Sequence, residues 1–203
     1  MQEVWRSRAY LPEGRLPAGA TVVDIGAHVG VFATWAATRA SGVRVIAVEP
    51  SAEICRYLRR NLDANALTNV VVENAACAGM PGTAVLYRRG PAAMNSLFAR
   101  DVLESHFVPE ANVSVRTLDE IFARHQVRHC DLLKLDCEGA EYDILFNAAE
   151  NTLAAVSRIS LEYHVGLNDH HPSELSEFLA DRGFRVLVDS PTDPEGGYLY
   201  GQR

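Results

Sequence analysis

Residues 22–30 read Val22-Val-Asp-Ile-Gly-Ala-His-Val-Gly30 and join a β-branched run to a segment of helical period. The run Thr21–Ile25 is typical of a buried strand, and from Val31 onward apolar residues recur at helical spacing. Because glycine lacks a Cβ, Gly26 allows a sharp turn close to a ligand, and Gly30 allows the next helix to pack close to the sheet. The amides at the start of that helix favour a negative group. The sequence therefore predicts a ligand site where the first strand meets the first helix.

The alternation of strand and helix continues beyond this turn. Residues 43–48 form a second apolar run, Ser51 can cap the helix that follows, and residues 70–72 form a third run. Near-continuous apolar strands separated by helices are typical of a parallel sheet covered on both faces. The final runs, 184–188 and 198–200, are joined by a loop short enough to make them antiparallel. We therefore predict an α/β fold with a doubly wound, mostly parallel sheet.

The length of 203 residues fits one domain. We predict a single domain over residues 1–203 with an N-terminal extension at 1–20. Glycines and a proline interrupt residues 77–112, which we predict to be an irregular elaboration over the sheet. The short extension leaves little material to cover a ligand site, so a second subunit of a homo-oligomer could help to close it.

The formal net charge is −7, and the basic residues are scattered in small groups. Nucleic-acid binders usually carry a basic excess, because phosphate neutralisation supplies most of their non-specific affinity. No apolar run reaches the roughly 18 residues of a membrane span, and the N-terminal residues lack the apolar stretch of a signal peptide. We expect a cytoplasmic protein with reduced cysteines, a small-molecule partner, and neither a nucleic-acid nor a membrane partner.

Polar and small residues follow the first three strands. Asp24 precedes the glycine turn, and His28 stands where the dinucleotide-binding fingerprint has its second glycine. An acidic residue before the turn suits a ligand that carries an ammonium group. Glu49 ends the second strand, where a carboxylate can accept both hydroxyls of a ribose. Asn74 and Ala75 follow the third strand, where small residues leave room for an adenine ring and Asn74 offers an amide. The pattern predicts an adenosyl ligand rather than a dinucleotide.

A second unusual stretch reads Leu132-Leu-Lys-Leu-Asp-Cys-Glu-Gly-Ala-Glu141. Because side chains alternate along a strand, Lys134, Asp136 and Glu138 share one side. Three charges on a buried strand are costly unless they are paired or used. Asp136 would face the crevice where open α/β sheets bind ligands. A structural ion-pair network around Lys134 is the alternative interpretation.

The next strand ends with Glu162 and His164, which point to the same side because they are two residues apart. A neighbouring carboxylate raises the proton affinity of a histidine and suits it to work as a general base. Alternatively, Asp136 and Glu162 could supply oxygen ligands to magnesium, so the requirement for a metal stays open.

Several segments resemble a known family. Residues 24–30 resemble the first motif of class I S-adenosylmethionine-dependent methyltransferases. Residues 115–122 and 131–141 resemble the hallmark of the FkbM-type branch of these enzymes. Asn95-Ser96-Leu97 is similar to a short signature of that branch. The resemblance covers most of the chain.

The resemblance implies a Rossmann-like sheet of seven strands whose last strand is antiparallel. It implies S-adenosylmethionine as the cofactor and O-methylation of sugars or other secondary metabolites, in some members with a bound metal. It also implies that Asp24, Gly26, Gly30, Glu49 and Asp136 line the cofactor site. The family commonly has asparagine at the position of His28, so the local hydrogen bonding differs here.

We therefore predict an O-methyltransferase that acts on a hydroxyl of a small molecule, with His164 as general base and with Glu138, Glu162 and Asp136 as helpers or metal ligands. His28, Asn74 and Ala75 complete the predicted cofactor site. Two other functions stay open. The missing middle glycine disfavours a nicotinamide-dependent oxidoreductase, and the retained acidic cluster disfavours a non-catalytic adenosyl-ligand-binding protein.

Overall fold

The computed structural model describes residues 15–89, 94–97, 107–189 and 196–203. In chain order its elements are β1 (Thr21–Ile25), α1 (Val31–Ala37), β2 (Arg44–Val48), α2 (Ala52–Ala64), β3 (Val70–Glu73), β4 (Ala76–Cys77), β5 (Gly82–Arg89), β6 (Met94–Ser96), β7 (Phe107–Arg116), α3 (Leu118–Arg124), β8 (Leu132–Leu135), α4 (Glu141–Asn147), α5 (Glu150–Ala154), β9 (Arg158–His164), α6 (Pro172–Asp181), β10 (Arg185–Asp189) and β11 (Gly196–Gln202).

Seven strands form one sheet in the order β10-β11-β9-β8-β1-β2-β3. Neighbouring strands are parallel except at β11, which pairs antiparallel with both β9 and β10. The chain winds from β1 to β3 on one side and from β8 to β9 on the other. The carboxyl ends of β1, β2 and β8 therefore meet where the winding reverses, which is the usual ligand position in such sheets. The predicted doubly wound sheet of seven strands, with an antiparallel last strand, is confirmed.

Helices cover both faces of this sheet. Along β1, Val22 packs into an apolar cluster with α1 and α2, whereas Val23 and Ile25 pack into a second cluster with α3, α4 and α6. The alternation of side chains along a strand explains this division. Helix α2 contributes Leu58 and Leu62, four residues apart on its buried side. Because both faces are apolar, the ends of the strands are where polar side chains can gather.

A second, four-stranded sheet has the order β4-β7-β5-β6. Strands β5 and β7 pair antiparallel from Gly82–Val115 to Arg89–Phe107, with an irregularity at Leu86 and Tyr87. Leu86 and Val115 are buried between this sheet and the rest of the protein. The interval 77–112 is thus largely strand where it is described, in contrast to the irregular elaboration we predicted. The pairing joins segments about 25 residues apart, and local sequence periodicity does not reveal such pairing.

The beginnings of several helices follow the sequence pattern. Ser51 caps α2 by accepting a hydrogen bond from the Ile54 amide, and Thr117 forms a capping box with Glu120 at the start of α3. His171 caps α6, which begins at Pro172. None of the described helices combines the length and the apolarity needed to cross a membrane.

Candidate active site

A cavity of about 250 Å³ lies at the carboxyl ends of β1, β2 and β8. Six of the residues proposed from the sequence line it, namely Gly26, His28, Glu49, Ala75, Asp136 and Glu138. Cys77, Leu86 and Leu97 add apolar wall from the second sheet and the segment that follows β6. We call this space the first cavity. The remaining predicted site residues, Asp24, Gly30, Asn74, Glu162 and His164, lie outside its wall.

The glycine turn brings the backbone to the floor of the first cavity. Gly26 has φ 75°, and a Cβ built on it would overlap the backbone carbonyl oxygen of Asp136. The amide of Gly26 donates a hydrogen bond to the carbonyl oxygen of Val48 at 3.0 Å, which ties the turn to β2. Gly30 has φ 83° and lies against the side chain of Leu58, so its role is the close packing of α1 and α2. No other residue type combines such a positive φ with this absence of a side chain.

Glu49 directly follows β2 and lines the first cavity. Its side-chain oxygens accept hydrogen bonds from the amides of His28 and Ser51, both at 2.9 Å. Burial raises the pKa of Glu49 to about 7, although these two amide donors act in the opposite direction. The carboxyl group is therefore held in one orientation and titrates near neutral pH.

Asp24 lies beneath the glycine turn. Its carboxylate is fully buried and contacts Lys134 Nζ at 3.1 Å across the β1–β8 pair. Lys134 also donates a hydrogen bond to the Gly26 carbonyl oxygen at 2.8 Å and lies 3.5 Å from Asp136 Oδ2. Burial acts to lower the pKa of Lys134, but Asp24 and Asp136 raise it above its ordinary value, so the ammonium is charged. Asp24 thus supports the turn through Lys134 instead of facing the cavity as we expected, and Asp136 is the carboxylate that faces it.

Asn74 also acts from behind the wall. Its amide nitrogen donates hydrogen bonds to the carbonyl oxygens of Glu49 and Pro50, both at 2.9 Å. These bonds hold the end of β3 against the end of β2. Ala75, the next residue, is fully buried and lines the first cavity.

Residues 136–140, which we call the acidic turn, leave β8 in an unusual conformation. Glu138 has φ 52° and Gly139 has φ 102°, so two consecutive residues adopt left-handed backbone geometry. For a residue such as glutamate this geometry is uncommon and is often associated with functional sites. Ser96 Oγ donates to the Glu138 carbonyl oxygen at 2.6 Å, and Asn168 donates to the Gly139 carbonyl oxygen at 2.9 Å.

Glu141 connects the acidic turn to His164. Its two carboxylate oxygens accept hydrogen bonds from the amides of Cys137 at 2.9 Å and Gly139 at 3.0 Å. The same carboxylate contacts His164 Nδ1 at 3.3 Å, and His164 Nε2 lies 3.6 Å from Glu138 Oε2. His164 is therefore placed between two carboxylates, behind Glu138.

Proton affinities in this group differ from their ordinary values. Burial acts to lower the pKa of His164, but the hydrogen bond and charge of Glu141, helped by Glu138 and Asp136, raise it to about 10. Burial raises the pKa of Glu138 to about 7, although the charge of His164 acts to lower it. At neutral pH the imidazole of His164 is consequently a cation, and the Glu138 carboxyl group is near the midpoint of its titration.

Three of these side chains could hold a metal ion. Asp136, Glu138 and His164 each offer a ligand atom within 4.8 Å of the other two, and this is the one such set among the described residues. The set does not include Glu162, which we had paired with Asp136 as a magnesium ligand. Glu162 lies on β9 opposite Tyr198 and lines neither the first cavity nor the one beside it.

A larger cavity of about 720 Å³ adjoins the first on the side of α4. We call it the second cavity. Leu97 lines both, and Gly139 in the second follows Glu138 in the first. The acidic turn therefore stands between the two spaces, with the Glu138 carboxylate in the first.

Sequence reasoning did not assign a role to Glu141 or to the Ser96 hydroxyl. Glu141 is the first residue of α4, where a carboxylate is favourable near the helix amides. That position was a usable signal. Ser96 belongs to the Asn95-Ser96-Leu97 signature, but that resemblance does not reveal its contact with Glu138, which is 42 residues away in the sequence.

Comparisons with known proteins agree with this geometry. Residues 24–186 match the family model described as methyltransferase FkbM domain. The chain is 29% identical to the AMB antimetabolite synthetase AmbE of Pseudomonas aeruginosa over 98% of its own length, but it spans 11% of that protein. It is 24% identical to Methyltransferase 1 of Beauveria bassiana, covering 86% of this chain and 76% of that one.

A solved structure shows the same fold. The methyltransferase FkbM of Methylobacillus flagellatus superposes with a TM-score of 0.66 at 19% identity, over 96% of this chain and 47% of that chain. The family match covers most of the chain and favours a methyltransferase over a nicotinamide-dependent oxidoreductase. The chain belongs to the FkbM family of S-adenosylmethionine-dependent methyltransferases.

Proposed function

We propose that the protein methylates a hydroxyl oxygen of a small, polyhydroxylated acceptor, with Glu138 as the general base. One observation carries this proposal. Glu138 lines the first cavity, where the cofactor would lie, and the next residue, Gly139, lines the larger second cavity. A base at such a boundary can reach an acceptor that enters from the second cavity.

The residues of the first cavity fit S-adenosylmethionine, whose sulfonium supplies an activated methyl group when it is bound. Glu49 is held where it can accept the ribose hydroxyls, since each carboxylate oxygen keeps a lone pair beyond its amide bond. Ala75 and Cys77 provide an apolar wall for the adenine. Asp136, which lines the cavity, would accept the ammonium group in place of the buried Asp24.

The division of roles between Glu138 and His164 follows from their surroundings. A hydroxyl acceptor must lose a proton, and a base works best when its pKa lies near the working pH. Glu138 meets this condition and faces the cavity, whereas His164 lies behind it and lines neither cavity. We therefore assign proton removal to Glu138, and His164 orients its carboxylate as a cation instead of acting as the base we first predicted.

We propose that this chemistry proceeds without magnesium. The imidazole of His164 is already placed between Glu141 and Glu138, and Asp136 is near the Lys134 ammonium. A cation would have to displace these contacts. A complete loss of turnover after exhaustive chelation, restored by magnesium, would contradict this part of the proposal.

Substitution of Glu138 tests the proposed function. Glu138→Gln should lower the turnover number by about 100-fold or more, since general-base catalysis contributes that much, and should leave affinity for S-adenosylhomocysteine nearly unchanged. Glu177→Gln, on the exposed side of α6, is the matched control. In the unchanged protein, turnover should rise with pH through about 7, where Glu138 loses its proton.

The pH profile separates the two candidate bases. With His164 as the base, turnover would instead rise as the pH approaches about 10, where the imidazole loses its proton. That profile, or full turnover in Glu138→Gln, would overturn the assignment of Glu138. If methyl transfer to nitrogen but never to oxygen is found across an acceptor panel, the O-directed function fails.

A further inference from the structure

Four aromatic side chains, those of Tyr87, Tyr142, Phe146 and His170, line the second cavity. His170 stacks on the ring of Tyr142 with centroids 5.3 Å apart, and Phe146 meets His170 edge-on at 5.1 Å. Tyr87 lines the same space from the second sheet. Aromatic surfaces of this kind bind flat rings and the apolar faces of sugars.

The carboxylates among the described residues of its wall have no lysine or arginine beside them in that wall. Asp143 and Asp169 both line the second cavity, and Glu138 stands at its boundary with the first. Among the described residues that line either cavity there is no lysine or arginine. Carboxylates attract an ammonium group and repel phosphate or carboxylate, most strongly where water is partly excluded.

A buried hydroxyl on this wall has no partner among the residues that the structure describes. Tyr142 is fully buried and lines the second cavity, yet its hydroxyl forms no hydrogen bond with any of them. Buried polar groups are nearly always paired, and an exception points to a ligand or a water that would satisfy it. Burial raises the pKa of the Tyr142 phenol, so the group stays a neutral donor and acceptor.

Building on the proposed function, we infer that the second cavity is the acceptor site and that it selects a ring-bearing, hydroxylated acceptor with an ammonium group and no phosphate or carboxylate. The aromatic walls hold the ring, the carboxylates hold the ammonium, and the Tyr142 hydroxyl bonds a polar group of the acceptor. Gly139 places this site directly beside Glu138.

Matched probes test the charge preference. We would titrate the protein loaded with S-adenosylhomocysteine with tyramine, tyrosol and 4-hydroxyphenylacetate, and with glucosamine, glucose and glucose 6-phosphate, and follow binding by NMR. Within each set the cationic probe should bind best and the anionic probe worst, with about tenfold or more between them. Asp169→Asn should reduce that difference, and Asp63→Asn on the exposed side of α2 should not.

Tyr142→Phe provides a second readout. Because the hydroxyl has no partner in the described part of the chain, its removal should leave the melting temperature unchanged or raise it, while affinity for the cationic probe falls several-fold. The inference is overturned if the probes of each set bind equally, if the anionic probes bind best, or if no probe binds. It is also overturned if Tyr142→Phe binds the cationic probe with unchanged affinity. Methyl transfer to an oxygen of an anionic acceptor would overturn this inference but not the proposed function. Methyl transfer confined to nitrogen would overturn the proposed function but not the charge preference of the second cavity.

Discussion

The floor of the first cavity requires a residue without a side chain at Gly26. The residue has φ 75°, and the space its Cβ would need is filled by the Asp136 carbonyl oxygen of the neighbouring strand end. A backbone atom cannot rotate away as a side chain can. The close approach of β1 and β8 at the floor of the first cavity therefore depends on glycine at this position.

Gly26→Ala should remove binding of S-adenosylhomocysteine and lower the free energy of unfolding by about 3 kcal/mol, from left-handed strain together with the overlap. Gly19→Ala is the control, because Gly19 has φ 74° but open space around its Cβ position. It should cost about 1 kcal/mol and leave binding intact. Calorimetry and urea unfolding measure both effects, and equal losses in the two variants would contradict the role given to the overlap.

We expect Glu49, as a proposed ribose ligand, to make cofactor binding dependent on pH. Its pKa is raised to about 7, and its ionised form is the better acceptor of ribose hydroxyls. Affinity for S-adenosylhomocysteine should therefore increase as pH rises through 7, by about tenfold between pH 6 and pH 8. Glu49→Gln should bind more weakly at pH 8 and lose this dependence. A pH-dependent affinity that persists in Glu49→Gln would place the titrating group elsewhere.

At the scale of elements, the acidic turn is shaped by its neighbours. Strand β6 supplies Ser96, the segment after β9 supplies Asn168, and α4 supplies Glu141. Together they hold two consecutive left-handed residues, Glu138 and Gly139, which would otherwise relax. Glu138, the base that we propose, is thus positioned by three elements that are distant in the sequence.

Ser96→Ala should loosen this turn. Loss of the buried hydrogen bond to the Glu138 carbonyl oxygen should cost about 1 kcal/mol of stability and lower the turnover number more than the affinity for S-adenosylhomocysteine. Ser176→Ala, which removes a hydroxyl-to-carbonyl bond on α6, is the control and should retain full turnover. If the two variants have the same kinetics, Ser96 does not position the base.

At the scale of the whole molecule, strand order brings the two halves of the chain together. Strand β1 lies between β2 and β8, so Asp24 meets Lys134, which is 110 residues later. This buried ion pair connects the half of the sheet that contains β1 to β3 with the half that contains β8 and β9, directly below the first cavity. The two interpretations of this charged stretch are therefore both partly right. Lys134 belongs to a structural ion-pair network, and Asp136 lines the cavity.

Lys134→Met should lower the free energy of unfolding by about 3–5 kcal/mol, because it leaves the Asp24 carboxylate buried without its cation. The double variant Asp24→Asn with Lys134→Met should recover part of this loss, since no buried charge is then left unpaired. Urea unfolding measures both, and Asp63→Asn is the exposed control. A double variant less stable than Lys134→Met alone would show that the pair itself is not the source of the loss.

The amino-acid sequence by itself determined the fold class, the order of strands and helices, and the strand ends that carry the site. β1 was predicted at its observed bounds, and Gly26, Glu49 and Asp136 line the first cavity as expected. These features can be predicted from local sequence, because the spacing of apolar residues and the positions of glycines indicate the backbone conformation. Parallel strands also end at the same edge of a sheet, so the residues that follow them lie near one another.

Only the tertiary structure decided which of these groups face the cavity and which are charged. Asp24 turned inward because Lys134 lies across the sheet, and His164 became a cation because Glu141 and Glu138 surround it. The second sheet likewise depends on pairing between β5 and β7. Burial, electrostatic partners and long-range pairing arise only when distant segments meet, so no local pattern in the sequence could supply them.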